Sequence, residues 1–225
     1  MMSRLTTPRI ATAAIVLLLA FPALVITANL IQRDEYSAAG SAVSLLALGR
    51  AGWLMTLAFV ALGMGTILIA VTVRRSVKRA LVGPACLTVG GLLTVLSAVF
   101  QADRDGAAAT MHGHIHMALG LTNFLLVVTA IAACGVAFRR TESWRRFGKV
   151  SVIWALLALA EIISVFVLPD AVFGVAQRSF LGTCIIWMLV TATLAIRQPA
   201  GDEARARGTS NRLGANPNHV LGHEA

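Results

Sequence analysis

The sequence predicts an all-α membrane protein: a polytopic transmembrane bundle of six helices with its N-terminus and C-terminus cytoplasmic. Three observations predict it. Of 225 residues, 57% are apolar and only 13% charged, where a soluble domain has roughly half and a quarter. Six apolar stretches approach or exceed the roughly 20 residues that a helix needs to cross a hydrocarbon core about 30 Å thick. The lysines and arginines fall in short clusters between those stretches, mostly on one side of them. This composition excludes an ordinary soluble enzyme and a disordered chain.

The first span runs from Ile10 to Ile31. A basic start through Arg9 raises the alternative of a cleaved leader, but the apolar run is longer than a leader's and no convincing small-x-small site follows it. Arg33 to Gly49 is too long for a bare connection and carries Val43, Leu45, Leu46 and Leu48. It is expected to lie at the outer interface as a short helix ending at Gly49. The remaining spans are Ala51 to Val73, Ala80 to Phe100, Met111 to Phe138, Val150 to Leu168 and Ser179 to Ile196. Pro22, Pro84, Gly90 and Gly91 are tolerated in lipid-embedded helices. Gly90, Thr94, Ser97 and Gln101 recur at helical spacing and read as a close-packing seam. Cys86, Cys134 and Cys184 lie within spans and read as small core residues. Residues 1–197 thus form the transmembrane domain. Residues 198–225, rich in Gly, Ala, Asn and charge, read as a disordered cytoplasmic tail, so the spacing of His219 and His223 carries little.

Orientation follows from the cations. Fifteen of the nineteen lie at the N-terminus, in the second and fourth loops and in the tail; only Arg33, Arg50, Arg104 and Arg178 lie on the other side. The basic side is cytoplasmic. The net charge of +9 therefore reflects topology and contact with anionic lipid, and nucleic acid is not an expected partner. Trp144, among the inner arginines, fits an interfacial anchor. The expected location is the cell membrane, multi-pass.

With the topological arginines set aside, a second polar population gathers toward the outer side. Glu161 lies eight residues before Pro169, about 12 Å below the outer end of its helix. An acid at that depth costs roughly 2.5–3.5 kcal/mol, so it should face protein or water. It is either a helix-tying bond or ion pair, or a functional proton donor, acceptor or ligand contact. In Met-His-Gly-His-Ile-His, His112 and His116 share one helix face while His114 points away, and Asn123 returns to that face two turns on. Asp103, Arg104 and Asp105 form the preceding loop, Arg50 opens the second span and Arg178 precedes the sixth. The His-x3-His pair could hold a zinc ion, although no second ligand cluster lies at its depth. No cofactor is expected, because no other span carries the second axial histidine that a transmembrane haem needs. No nucleotide loop, serine-hydrolase elbow or zinc-protease motif is present.

Several segments taken together resemble a bacterial six-span family, the domain-of-unknown-function family numbered 998. Ser-Leu-Leu-Ala-Leu-Gly-Arg-Ala-Gly-Trp from Ser44 resembles its second-span signature. Phe100 and Asp103 match an F-x-x-D, His112, Gly113 and His116 match an H-G-x-x-H, and Gln177 with Arg178 match a pair opening the sixth span. The resemblance covers residues 34 to 197. Arg104 stands where the family often has proline, and His114 is an extra histidine. The resemblance implies fold and topology and no established reaction.

Two functional expectations follow. In the first, Glu161, Asp103, His112 and His116 supply acid–base chemistry in one chamber open to the outer leaflet. Arg50, Arg178 and Asn123 there hold an amphiphile, a lipid or isoprenoid, as in a proton-initiated cyclase or isomerase. In the second, the protein is a non-catalytic structural, sensor or partner-binding membrane protein whose polar cluster stiffens the bundle. A proton-coupled carrier is disfavoured by the lack of a two-half repeat and of ionisable groups in the inner halves of the spans. Expected partners are membrane lipids and a hydrophobic small molecule.

Overall fold

A computed structural model describes residues 6–104 and 106–197. Its six helices are α1 (Thr7–Ile31), α2 (Gly52–Ser76), α3 (Val82–Leu96), α4 (Met111–Arg139), α5 (Arg145–Val167) and α6 (Phe173–Arg197). No strand occurs among the described residues. Asp105 and the expected tail, 198–225, lie outside them.

All helices except α3 are long and apolar enough to cross a membrane. Hydrophobic side chains lie exposed on the outward faces: Val16, Leu19, Ile26 and Leu30 on α1, and Ile153, Leu156, Ile163 and Phe166 on α5. A soluble helix would place charge there. The chain is a multi-pass membrane protein.

Each helix runs antiparallel to the one before, and α6 returns to pack on α1 and α2, closing the ring. One end carries Arg50 and the start of α4; the other carries Arg74 and the start of α3. Alternate stripes of α1 turn inward, with Ala11, Ala14, Leu18, Phe21, Val25 and Ala28 buried at helical spacing. Where α2 crosses α3, a Cβ on Gly63 would sit 2.5 Å from the Gly91 carbonyl oxygen, and one on Gly91 would sit 2.6 Å from that of Gly63. Only two glycines let these backbones touch.

The expected spans correspond to the helices, with three differences. The third is shorter than Ala80 to Phe100: its helix covers fifteen residues, about 22 Å, and loosens into turns at Ala98 and Val99. This frees the Phe100 carbonyl, which His116 then takes. The helices α5 and α6 begin about a turn or more before their apolar stretches, because Arg145, Arg146, Gln177 and Arg178 are good helix formers that hydropathy does not count. The short interfacial helix appears as a 3-10 segment, Val43–Leu48, ending at Gly49.

Trp144 is a correction. It is not an interfacial anchor but 1% exposed, its ring 4.7 Å from Phe138, within a stack that includes Phe147 and Trp187. Trp187 donates to Ser151 Oγ at 3.0 Å, so its ring N–H is satisfied inside the core. Replacing Trp144 with alanine should cost about 3–5 kcal/mol, read as a lower unfolding temperature in detergent. A loss of under about 1 kcal/mol would mean that the stack is not part of the core.

Candidate functional site

The polar residues of the Arg50 end form three backbone-holding devices. The first is Arg50. Both Nε, at 3.0 Å, and Nη2 donate to the Ile31 carbonyl at the end of α1, whose last turn has no cation of its own. Beside it, buried Gln32 donates from Nε2 to the carbonyls of Ala28 at 3.2 Å and Leu46 at 3.3 Å.

The second device is Arg178. Its Nη1 donates to Gly174 O at 2.9 Å and Ser41 O at 3.2 Å, and its Nη2 donates to Tyr36 Oη at 2.5 Å. The guanidinium carbon lies 5.6 Å from the centre of the Tyr36 ring. Next to it, Gln177 Oε1 accepts the Val43 N–H at 2.8 Å, and the Val175 N–H reaches Ala39 O at 3.0 Å. The loop over residues 36–43 is thereby strapped to the start of α6.

The third joins α3 to α4. Asp103 accepts the Thr110 N–H at 2.8 Å and the Thr110 hydroxyl at 2.7 Å, while Thr110 Oγ1 caps the Gly113 N–H at 3.1 Å. A Cβ at Gly113 would fall 1.9 Å from Asp103 Oδ2, so glycine is required for the carboxylate to reach this helix end. His116 Nδ1 lies 2.7 Å from the Phe100 carbonyl, and its ring meets Phe59 edge-on at 6.0 Å. His112 is exposed and lies over Phe100 at 5.3 Å; it does not share an inward stripe with His116 and Asn123. Among the described residues, no three His, Cys, Asp or Glu side chains come together as metal ligands.

Two polar atoms lie deeper. Asn123 donates from Nδ2 to Thr94 Oγ1 at 3.1 Å, while its Oδ1 is buried without a partner. It borders a void of about 20 Å³ with Thr66, Thr94, Phe180 and Met188, room for one water. Glu161 faces α6. Its Oε1 accepts from Ser179 Oγ at 2.7 Å and Thr183 Oγ1 at 2.9 Å. Its Oε2 is buried and without a partner. Trp154, two turns earlier on α5, donates to the Thr183 carbonyl at 3.0 Å, fixing the register of the two helices.

The expected single chamber is thus divided. Asp103, His112 and His116 share one turn, whereas Arg50, Arg178, Asn123 and Glu161 each bond elsewhere. No ion pair joins Glu161 to Arg50 or Arg178. The sequence reading missed Thr110, Tyr36, Gln32 and the Ser179/Thr183 pair. That last pair had a signal: two hydroxyls four apart in an apolar span, beside a span with one acid.

The family model described as "Protein of unknown function (DUF998)" matches residues 9–194. The chain belongs to this family. No curated protein and no solved structure showed a match. In this DUF998 member the F-x-x-D and H-G-x-x-H segments are the two halves of the α3–α4 latch, and the Gln177–Arg178 pair is the strap on the first loop.

The latch has a pH signature. Hydrogen bonds from the Thr110 N–H and hydroxyl, with lesser help from His114 and His112, hold the Asp103 carboxyl below the usual carboxylate range. A carboxyl depressed in the folded state stabilises fully above its unfolded pKa, about 3.9, and loses that contribution as pH falls through the folded value. Unfolding temperature should therefore drop below about pH 4, less steeply in Asp103→Asn. Thr110→Ala, which removes the cap, should cost about 1 kcal/mol at neutral pH. Superimposable acid profiles for wild type and Asp103→Asn would remove the latch.

Proposed function

We propose that this DUF998 member is a six-span protein of the cell membrane, both termini cytoplasmic, that binds an amphiphile, lipid or isoprenoid in class, at Glu161 in the α5–α6 seam. The cation asymmetry supports the orientation, and α3, although short, packs along both α2 and α4 as a sixth span would. The observation that carries the site is the divided carboxyl. One oxygen takes two hydroxyl bonds and the other, buried, takes none. An unpaired buried polar atom costs about 1–3 kcal/mol, a cost that a ligand hydroxyl, amine or acid would offset. Around it the seam is apolar and open to lipid: Leu157, one turn along α5, and Ile186, one turn past Thr183, are both half-exposed. A polar head on Glu161 with a tail against these residues satisfies both.

Binding is the core of this reading, and acid–base processing of the bound molecule, a cyclisation or isomerisation begun at Glu161, is its catalytic form. Asp103, His112 and His116, engaged in the latch, act on the scaffold. A second reading, a non-catalytic structural or partner-binding protein, is favoured by one specific observation: the donors of Arg50 and Arg178 end on backbone carbonyls and a tyrosine of the same chain.

Mass spectrometry of the purified protein separates them. Wild type should carry an amphiphile whose occupancy falls about tenfold in Glu161→Gln, the effect of losing one ligand hydrogen bond, with folding retained because glutamine still accepts from Ser179 and Thr183. Equally empty wild type and variant, with a lower unfolding temperature in the variant, would establish the scaffold instead.

A further inference from the structure

The side chains around Glu161 hold acceptors without donors. A hydroxyl inside a helix can donate to the carbonyl four residues back, as those of Thr66, Thr72, Thr94 and Thr191 do at 2.8–2.9 Å. Ser179 and Thr183 instead donate across the seam, both to Glu161 Oε1. With its proton spent, each hydroxyl oxygen keeps lone pairs, and no group among the described residues donates to either. The indole N–H of Trp154 is taken by the Thr183 carbonyl. Glu161 Oε2, buried and without a partner, completes the set. All three acceptors adjoin one atom, Oε1, which lies 2.7 and 2.9 Å from the two hydroxyls.

No cation among the described residues pairs with the carboxyl. Arg178, next to Ser179 in sequence, is turned to Tyr36, Ser41 and Gly174. The other cations of α5 and α6 are Arg145, Arg146, Lys149 and Arg197. They stand about three turns or more along their own helices from Glu161 or Thr183. This balance selects among polar heads. A carboxylic or phosphate head brings more acceptors to side chains whose donors are engaged. An alcohol supplies one donor. A primary ammonium supplies three N–H groups and the positive charge that a carboxylate there lacks. An amine is also a far stronger base than a carboxylate. A neutral amine therefore takes the proton of the acid, and an ammonium meets the carboxylate, so the proton ends on nitrogen from either start.

We propose, resting on the reading of Glu161 as an amphiphile site, that its ligand is a long-chain primary amine. The nitrogen lies among Glu161 Oε2, Ser179 Oγ and Thr183 Oγ1, and the chain runs along Leu157 and Ile186. Ser179 is exposed, so the head enters from the lipid side. Rotation about the last side-chain bond of Glu161, a broad two-fold torsion, turns Oε2 from its buried position toward it. A Cβ at Gly182, beside Thr183 and one turn from Ser179, would meet nothing within 4 Å. That open space receives the first methylenes. An amino phospholipid fits worse, because its phosphodiester would follow the amine into a seam whose hydroxyl and indole donors are already engaged.

The test uses the full chain in neutral detergent near neutral pH, titrated with hexadecylamine, hexadecanol, palmitic acid or phosphatidylethanolamine. Unfolding temperature and native mass spectrometry read the binding. Hexadecylamine should raise the unfolding temperature of wild type, leave one retained adduct and bind about tenfold tighter than hexadecanol, with the other two weaker still. Glu161→Gln should lose that preference for the amine. Ser179→Ala, which keeps the carboxyl and removes one acceptor, should weaken the amine several-fold. Gly182→Leu, which fills the open space, should weaken amine and alcohol alike. Asp170→Asn, which removes an exposed acid outside the seam, should bind as wild type does. Equal affinity for hexadecanol, or tighter binding of phosphatidylethanolamine, would overturn the amine and leave Glu161 an amphiphile site. Binding unchanged in Glu161→Gln, Ser179→Ala and Gly182→Leu would overturn that underlying reading as well.

Discussion

In hydrocarbon there is no water to take up a loose backbone group, so every helix end near the membrane must find its partner inside the protein. Much of the polar chemistry of this chain answers that constraint. The last carbonyl of α1 goes to Arg50, Gln32 pins the following 3-10 segment, and the Phe100 carbonyl, orphaned where α3 stops, goes to His116. The first turn of α4 is capped by Thr110, which Asp103 holds in place. Arg178 does for the long first loop what a helix would do for itself: it gathers the carbonyls of Ser41 and Gly174. Residues that look like an active-site inventory in the sequence are in large part the means by which irregular backbone is kept at the membrane edge.

Against that background the two unsatisfied atoms stand apart. Asn123 Oδ1 borders a void large enough for a water, which is the ordinary way such an atom is completed. Glu161 Oε2 lies in a seam between two helices with apolar, half-exposed flanks. On the reading proposed above, the partner of this carboxyl oxygen is a polar group brought in from the membrane.

The helices were legible because hydropathy measures the lipid contact that they make, and they fail at the ends for the same reason. Arg145 and Gln177 belong to helices but not to the apolar layer. Trp144 shows the limit from the other side. A tryptophan among arginines has the composition of an anchor, and only the three-dimensional neighbourhood of Phe138 and Trp187 makes it core. Site residues were recognised as unusual, since charge in an apolar span is conspicuous, but their grouping was not. One-dimensional spacing placed His112 with His116 on a face and said nothing of Phe100, whose ring takes the first and whose carbonyl takes the second. Glu161 was singled out by its charge; its partners are two hydroxyls rather than the arginines that this charge suggested.

The brevity of α3 has a mechanical corollary. Beside neighbours of twenty-five residues or more, α2 and α4, its fifteen-residue rod is short of the usual hydrocarbon thickness by several ångströms. On the six-span reading, lipids bordering that flank must compress, or the rod's neighbours must lean, at a cost of fractions of a kcal/mol per ångström. The ring then has a thin side and a thick side, and bilayer thickness becomes a variable to which the fold responds.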